Sequence, residues 1–508
     1  MMNELEKEIE SLSNVSVTEN GALGFATTNN KLVDLNFRVP SMREHGVSEK
    51  DIYNFADVLI SDDMEYAVKW LFYVRDVREG LGEKKVFNKL FTIFYVQCTP
   101  YAIECIKLIA EYGRWKDLVD LCENPNLSLR DNCLNEIEKQ LREDISNYQA
   151  GKSISLLAKW LPSINASKKA RGFARVICKK LEIPFVEYRK MLSKLRAYLD
   201  VTEVKTSSNR WDEIDYNKVS SKANLKYANA FKKHDKERRE KYLKDVMSGK
   251  TGVKMNASVL YPHEIWAKYR RCDFNNEYEA LWKNLKDMGD CGNTLCVVDG
   301  SGSMSWTPLA ETSTYALDVA RAIGVYFAER CQGEFHNKVI EFSATPQFID
   351  LDGFETLYAK MHQMEMYCEC SNTNIELTFD IILKAAVKNN IPQEEMPKNI
   401  LVISDMEFDA ASRGQGNMSK LFEIISDKYE AKGYKLPRLV FWNVNARTNT
   451  IPLTQNKNGV VLVSGYSTNI VKTVMSGALD PWLALKSVLD SDRYAPISEA
   501  IKNTNPNI

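Results

Sequence analysis

The chain has 508 residues, 44% hydrophobic and 27% charged, with 67 Lys and Arg against 68 Asp and Glu. That length calls for two or more domains and can bury a sizeable core, and the composition excludes a disordered or fibrous class. No apolar run reaches membrane-spanning length, and the acidic, polar start Met1 to Leu12 lacks the order of a signal peptide, so the expectation is a cytoplasmic protein with no membrane partner.

Residues 1–46 lack clear periodicity and read as an irregular arm, with Gly21, Gly24 and the run Thr27-Thr28-Asn29-Asn30 as breakers and Leu32 to Val39 as an extended piece packed on the first helices. A helical region is expected over residues 47–288. Ser48-Glu-Lys-Asp51 resembles a capping box and opens a helix through Ile60. A second helix carries Ala67, Trp70, Leu71 and Val74 at helical spacing, and Gly80-Leu-Gly82 ends it. Lys84 to Val96, Ala102 to Glu111, Trp115 to Cys122 and Leu127 to Ile145 follow with short connections. Helix, short turn, helix, with no strand signal, predicts paired helices stacked as a HEAT-like α-helical repeat, a solenoid or ring whose concave face suits an extended ligand. Eleven cysteines are scattered, and Cys98, Cys105, Cys133 and Cys178 fall inside apolar helical patterns, which reads as buried reduced thiols. Cys368-x-Cys370 and the pair Cys291 and Cys296 lack a second zinc-spaced pair.

The near-zero net charge conceals an asymmetry. Gly151 to Lys250 holds 25 Lys and Arg against 11 Asp and Glu, and the remainder of the chain is correspondingly acidic. A phosphate backbone would be drawn to such a block, though a set of solvated lysine-rich helix faces has the same composition. Within it, Pro162 stops a helix, Ser163 to Ser167 form a connector with N-cap chemistry, and a new helix carries Lys168, Lys169, Arg171, Arg175 and Lys179. Arg171, Arg175 and Lys179 are four apart on one face, beside a helix N-terminus whose free amides also favour phosphate. Arg189, Lys190, Lys194 and Arg196 come next, then Lys222 to Lys244 with Tyr227, Phe231 and Tyr242 interleaved among cations, after Trp211. Aromatics among cations can stack exposed bases, and each of Trp211, Phe231 and Tyr242 taken singly reads as a core anchor.

Aromatic-rich helices at Tyr261 to Tyr269 and Asn276 to Leu285 lead into an α/β region over residues 289–508. Strands are expected at Leu295 to Val298, Lys338 to Phe342, Asn399 to Ser404, Leu439 to Val444 and Val460 to Val463. Helices are expected at Leu309 to Cys331, near Leu357 and Ile375, at Met418 to Tyr429 and from Pro481, with the tail after Ala495 packing locally. That alternation predicts a doubly wound, mostly parallel sheet. Ligand sites collect at the carboxyl ends of such strands, where Asp299-Gly-Ser301-Gly-Ser303 ends the first buried run and Asp405 ends another. Two hydroxyls and a carboxylate suit a small hard cation that keeps several waters, and Thr373 could add a third hydroxyl. The alternative is that Gly300 and Gly302 only build a turn and the serines cap a helix.

Asp299, Ser301, Ser303, Thr373 and Asp405 together resemble, in chain order, the metal-ion-dependent adhesion site of von Willebrand factor A domains. The resemblance implies bound Mg²⁺ or Mn²⁺ with a coordination position open to a protein partner. The strings Phe-Tyr-Val-Arg-Asp-Val-Arg78, Tyr-Gly-Arg-Trp-Lys-Asp117, Lys-Trp-Leu-Pro-Ser-Ile-Asn-Ala-Ser-Lys-Lys169 and Tyr-Arg-Lys-Met-Leu-Ser-Lys-Leu-Arg196 resemble the family called domain of unknown function 2828. So do Ser-Asp-Met-Glu-Phe408, Val-Phe-Trp-Asn443 and Val-Ser-Gly-Tyr-Ser467, a span of roughly Asp63 to Ser467. Helical repeats followed by an A domain are similar in organisation to TROVE proteins of the Ro autoantigen type. That similarity implies a ribonucleoprotein component in which a ring of helices binds the single-stranded ends of small non-coding or misfolded RNA.

The expectation is therefore a non-catalytic RNA-binding protein with a metal-dependent adhesion site. A protein scaffold without RNA is the alternative. A magnesium-dependent phosphatase with Asp299 as nucleophile is weakened because Ser301 stands where that chemistry needs a second acid. No Gly-x-Ser-x-Gly, Walker A or Rossmann fingerprint is present.

Overall fold

The computed structural model describes residues 13–61, 63–310, 312–367, 374–410, 417–475 and 477–504. The chain divides into two compact units, one formed by Met1–Val58, Glu79–Leu81 and Ala257–Asp492 and the other by Leu59–Arg78, Gly82–Asn256 and Arg493–Ile508. Among the described residues, no helix is long and apolar enough to cross a membrane.

The first unit opens with a short antiparallel hairpin, β1 (Ser16–Val17) and β2 (Leu23–Gly24). Its main sheet has six strands: β3 (Thr294–Asp299), β4 (Lys338–Phe342), β5 (Gln347–Asp350), β6 (Asn399–Ser404), β7 (Arg438–Asn443) and β8 (Val460–Ser464). They lie in the order β5-β4-β3-β6-β7-β8, all neighbours parallel except β4 and β5. β3, β6, β7 and β8 are buried at every position, which is why they read as unbroken apolar runs. The hairpin strands β1 and β2 fall in the stretch read as an irregular arm, and β5 is the one strand of the main sheet that the sequence reading missed. It is a four-residue edge with Phe348 exposed, so it carries no such run.

Helix Ala316–Ala328 is buried on all sides against the sheet, and Gly324 is where it meets β3, since a Cβ there would lie 2.6 Å from Val298 Cγ2. The expected helix from Leu309 to Cys331 starts later than predicted, because Tyr315 and Asp318 form a capping box at its true N-terminus. Leu32 to Val39 is also corrected, from an extended piece to helix Lys31–Phe37. The Asn30 side chain accepts from the Leu32 and Val33 amides, and Leu32, Val33, Leu35 and Phe37 are buried. This segment packs on the sheet: Asn443 donates to Phe37 O at 2.8 Å and Ser464 Oγ donates to Asn36 O.

The second unit is helical, and helices adjacent in the chain pack against one another, as with Met64–Arg75, Lys84–Gln97 and Thr99–Ile106. Met64–Arg75 is buried from Ala67 to Arg75 on every side, so its polar members need partners. Arg75 pairs with Asp117 at 2.6 Å, and Asp117 also accepts the Arg114 amide at 2.8 Å. Gly113 is required beside them, because a Cβ there would lie 2.3 Å from Asp117 Oδ2. Removing one member of such a buried pair costs about 3–5 kcal/mol. The tail after Ala495 does not pack as a separate local piece: helix Ala495–Thr504 joins this unit, where Arg493 binds Asp76 at 2.8 Å and Tyr494 stacks on Tyr112 at 5.7 Å. The basic stretch Lys222 to Lys244 falls on two helices, Ser221–His234 and Lys236–Met247, divided at Asp235. Among the described cysteines, seven are buried, Cys98 is half-buried and Cys272 is exposed, while Cys368 and Cys370 lie outside the described residues.

Candidate metal centre and basic face

Asp299 and Asp405 meet because β3 and β6 are parallel neighbours in register, Val298 opposite Ile403. Asp299 is the last residue of β3 and Asp405 follows β6, so both carboxylates emerge at the same sheet end. Asp299 is 0% exposed and Asp405 1%. Asp299 Oδ1 accepts the Ser301 amide at 2.9 Å and Oδ2 accepts the Ser404 hydroxyl. Ser301 Oγ lies 3.1 Å from Ser303 Oγ, Asp405 Oδ1 accepts the Glu407 amide at 3.2 Å, and Ser303 is near enough to Asp405 to hold its carboxyl down. Four of the five predicted ligands thus form one contiguous cluster of oxygens. Thr373 lies outside the described residues.

Burial pushes the Asp299 carboxyl up, against hydrogen bonds from Ser404 and Ser301 that hold it down. Asp405 is pushed up by burial and by the neighbouring Asp299 charge, against Arg447 and Ser303. Asp405 Oδ2 has no hydrogen-bond partner, although Arg447 Nη2 lies 3.4 Å away. Two carboxylates held together out of water, with one buried oxygen left unbonded, is the electrostatic condition a divalent cation relieves. The donors are all hard oxygens, which selects Mg²⁺ or Mn²⁺ over zinc. Among the described residues no three His, Cys, Asp or Glu side chains are placed to hold a metal ion together, so a cation at the two carboxylates and hydroxyls would keep waters.

Backbone geometry builds this cluster. Gly300 passes over Glu341, where a Cβ would lie 2.9 Å from the Glu341 side chain, and Glu341 is itself held by Arg321 at 2.6 and 2.9 Å. Met406 has φ 63°, a left-handed conformation that methionine rarely adopts, and its amide donates to Ser404 Oγ at 2.9 Å. Sequence reasoning missed Glu407 and Arg447. Glu407 is 0% exposed and accepts the amides of Glu19, Arg447 and Thr448 at 2.7, 2.8 and 2.6 Å. It fixes the loop that brings Arg447, which also pairs with Glu19, next to Asp405. Its only signal in the chain was its place in the string Ser-Asp-Met-Glu-Phe408.

In the helical unit, the predicted cations fall on helices Lys168–Leu181 and Phe185–Tyr198. Lys168, Lys169, Arg171, Arg175, Lys179, Arg189, Lys190 and Lys194 are all exposed. Lys169 pairs with Glu123 at 2.7 Å, and Arg175 sits 6.0 Å over the Phe185 ring. Among the described residues, Lys168, Arg171, Lys179, Arg189, Lys190 and Lys194 carry no ion pair. Ser167 caps the first helix, accepting the Ala170 amide at 3.0 Å.

Arg196 is set apart from this face. Half-buried, it donates to Ala158 O at 2.8 Å, Ser163 Oγ at 2.7 Å and Leu161 O at 2.7 Å. Tyr188 donates to Pro162 O at 3.0 Å. The strings ending at Lys169 and Arg196 are therefore two halves of one lock that holds the connector between helices. Of the interleaved aromatics, Phe231 and Tyr242 are buried, and half-buried Trp211 stacks on His234 at 4.6 Å.

The chain matches two family models, Domain of unknown function (DUF2828) over residues 178–291 and Domain of unknown function (DUF7788) over residues 293–494. The DUF2828 match is narrower than the span of the resembling strings, and the sheet region, with Asp299 and Asp405, falls under the other model. The chain is 30% identical over 528 residues to "Uncharacterized protein L728" of Acanthamoeba polyphaga mimivirus, covering 96% of this chain and 89% of that protein.

Proposed function

We propose, for a chain that belongs to the same family as the mimivirus protein L728, a non-catalytic role: it binds RNA through the basic face of its helical unit and holds a divalent cation at the Asp299 cluster. The observation that carries the RNA reading is the exposed run of cations on helices Lys168–Leu181 and Phe185–Tyr198, most of them without an ion pair. Cations that merely solubilise a helical surface are commonly laced to neighbouring acids, whereas from Lys168 to Tyr198 ten Lys or Arg stand against two Glu. An arrangement of that kind neutralises phosphates of any RNA, and a preference for single-stranded ends or loops would come from contacts to their free bases. The substrate class is small structured or misfolded RNA with such ends, as the similarity in organisation to Ro-type TROVE proteins suggests.

The sheet unit fits a von Willebrand factor A-like reading with Asp299, Ser301, Ser303 and Asp405 as ligands of Mg²⁺ or Mn²⁺. Bound there, the cation would neutralise the paired carboxylates and keep a position for an oxygen from a partner. A nucleophilic role for Asp299 is disfavoured by its geometry, since both its oxygens accept hydrogen bonds and it is fully buried. A protein partner at this site has one observation in its favour: Trp306, three residues after Ser303, is 71% exposed, the kind of aromatic that anchors interfaces.

The test is retention of purified protein on single-stranded RNA at low salt. Charge reversal of Lys168, Lys169, Arg171 and Arg175 is expected to weaken binding for every sequence alike, with the fold unchanged. Equal retention of the wild-type and reversed proteins would sink the RNA reading and leave the scaffold reading.

A further inference from the structure

We infer that the groove between the 161–167 connector and helix Phe185–Tyr198 seats a single unstacked nucleobase of the bound strand, an inference that rests on the RNA reading above. The groove has a volume of about 300 Å³ and is lined by the apolar Ile164, Leu192, Ala197 and Val204 and by the polar Asn165 and Arg189. Small-ligand sites run from about 300 to about 1,000 Å³, so this one takes a single planar group and not a duplex.

Its chemistry matches a base in three respects. An apolar lining accepts a π-face, as the aliphatic walls of pockets that hold an extruded base do. Asn165, exposed at the groove, offers a side-chain amide with both donor and acceptor for a Watson–Crick edge. Arg189 is exposed and without an ion pair among the described residues, and its planar guanidinium can stack on the base or hold its phosphate.

Placement supplies the occupant's backbone contacts. Arg189, Ser193, Arg196 and Ala197 all line the groove, at helical spacings of four, three and one. Arg189, exposed and on the lining itself, is the cation of this helix that reaches the groove, and Lys190 follows it in the chain. Lys168 and Lys169 follow Asn165 by three and four residues at the start of the next helix. A base in the groove would thus leave its phosphates near Lys168 and Arg189, which carry no ion pair among the described residues, and Lys169, which is paired with Glu123. The wall is also fixed in advance: the three bonds from Arg196 and the one from Tyr188 pin the connector, so little order need be gained on binding.

Fluorescence anisotropy on the full chain tests this with two probes of equal length, an oligoadenylate and an abasic ribose-phosphate strand. Wild-type protein is expected to favour the base-bearing strand about tenfold, the worth of one stacked base. Ala197→Leu, at an exposed helical position, should fill the groove with an aliphatic group and erase that preference while abasic binding and its salt dependence stay unchanged. Ser193→Leu makes the same test should the first variant melt early. Equal wild-type affinity for both strands, or a preference that survives both fillings, overturns the groove assignment and leaves RNA binding in place. A wild-type protein that binds neither strand overturns both.

Discussion

The two candidate sites obey opposite physics. At the sheet end, Asp299 and Asp405 are stripped of water, and their energies are set by a handful of named atoms: one serine hydroxyl, two backbone amides, and one guanidinium 3.4 Å away. On the helical face, eight cations stand in solvent, where each is screened and none is individually decisive. A buried acid pair needs a counter-ion to be stable, while a solvated basic face needs a partner only to be useful. Substitutions at the first should therefore register in stability and metal affinity, and at the second almost solely in binding.

Arg196 should break that division most visibly, because composition groups it with the basic face while its guanidinium serves the connector. Hydrogen bonds from a charged group are worth about 1.5–3 kcal/mol each, and losses at one side chain do not sum, so Arg196→Ala should cost about 3 kcal/mol in chemical denaturation. A variant as stable as wild type would return Arg196 to the solvated set.

Saturating Mg²⁺ should come next. At a hundredfold excess over the dissociation constant it should raise unfolding free energy by about 2.7 kcal/mol, and Asp299→Ala should abolish the effect while remaining folded. Thermal shifts that are the same in both proteins would remove the metal assignment. Gly300→Ala should follow, with a loss of about 1–3 kcal/mol from the contact with Glu341 and a weaker metal site, both read in the same titration. If it unfolds like wild type, the turn is looser than its 2.9 Å approach implies.

The two regions also differ in how much of them the sequence disclosed. Buried parallel strands are apolar at every position, so β3 and β6 and the acids that end them could be read from runs such as Leu295 to Val298. β5 could not, because an exposed edge leaves no run, and helix Lys31–Phe37 was hidden because its signal lay in the Asn30 cap and not in periodicity. Arg447 was invisible for a different reason: it reaches Asp405 from a loop after β7, and only the tertiary bonds of Glu407 bring it there. On the helical side, lysine-rich spacing located the exposed face, but nothing local to Arg196 tells it from Lys190 or Lys194. Its role depends on two carbonyls and a serine hydroxyl 33 to 38 residues away in the chain.

The measurement closest to the central claim is the salt dependence of RNA affinity for the wild-type chain and for Lys190→Gln with Lys194→Gln, from about 50 to about 200 mM salt. Stability should change by less than about 0.5 kcal/mol, as for surface substitutions generally. The slope of log affinity against log salt should flatten by about 0.7 for each phosphate contact removed, about 1.4 for the pair. Parallel lines for the two proteins would contradict the account.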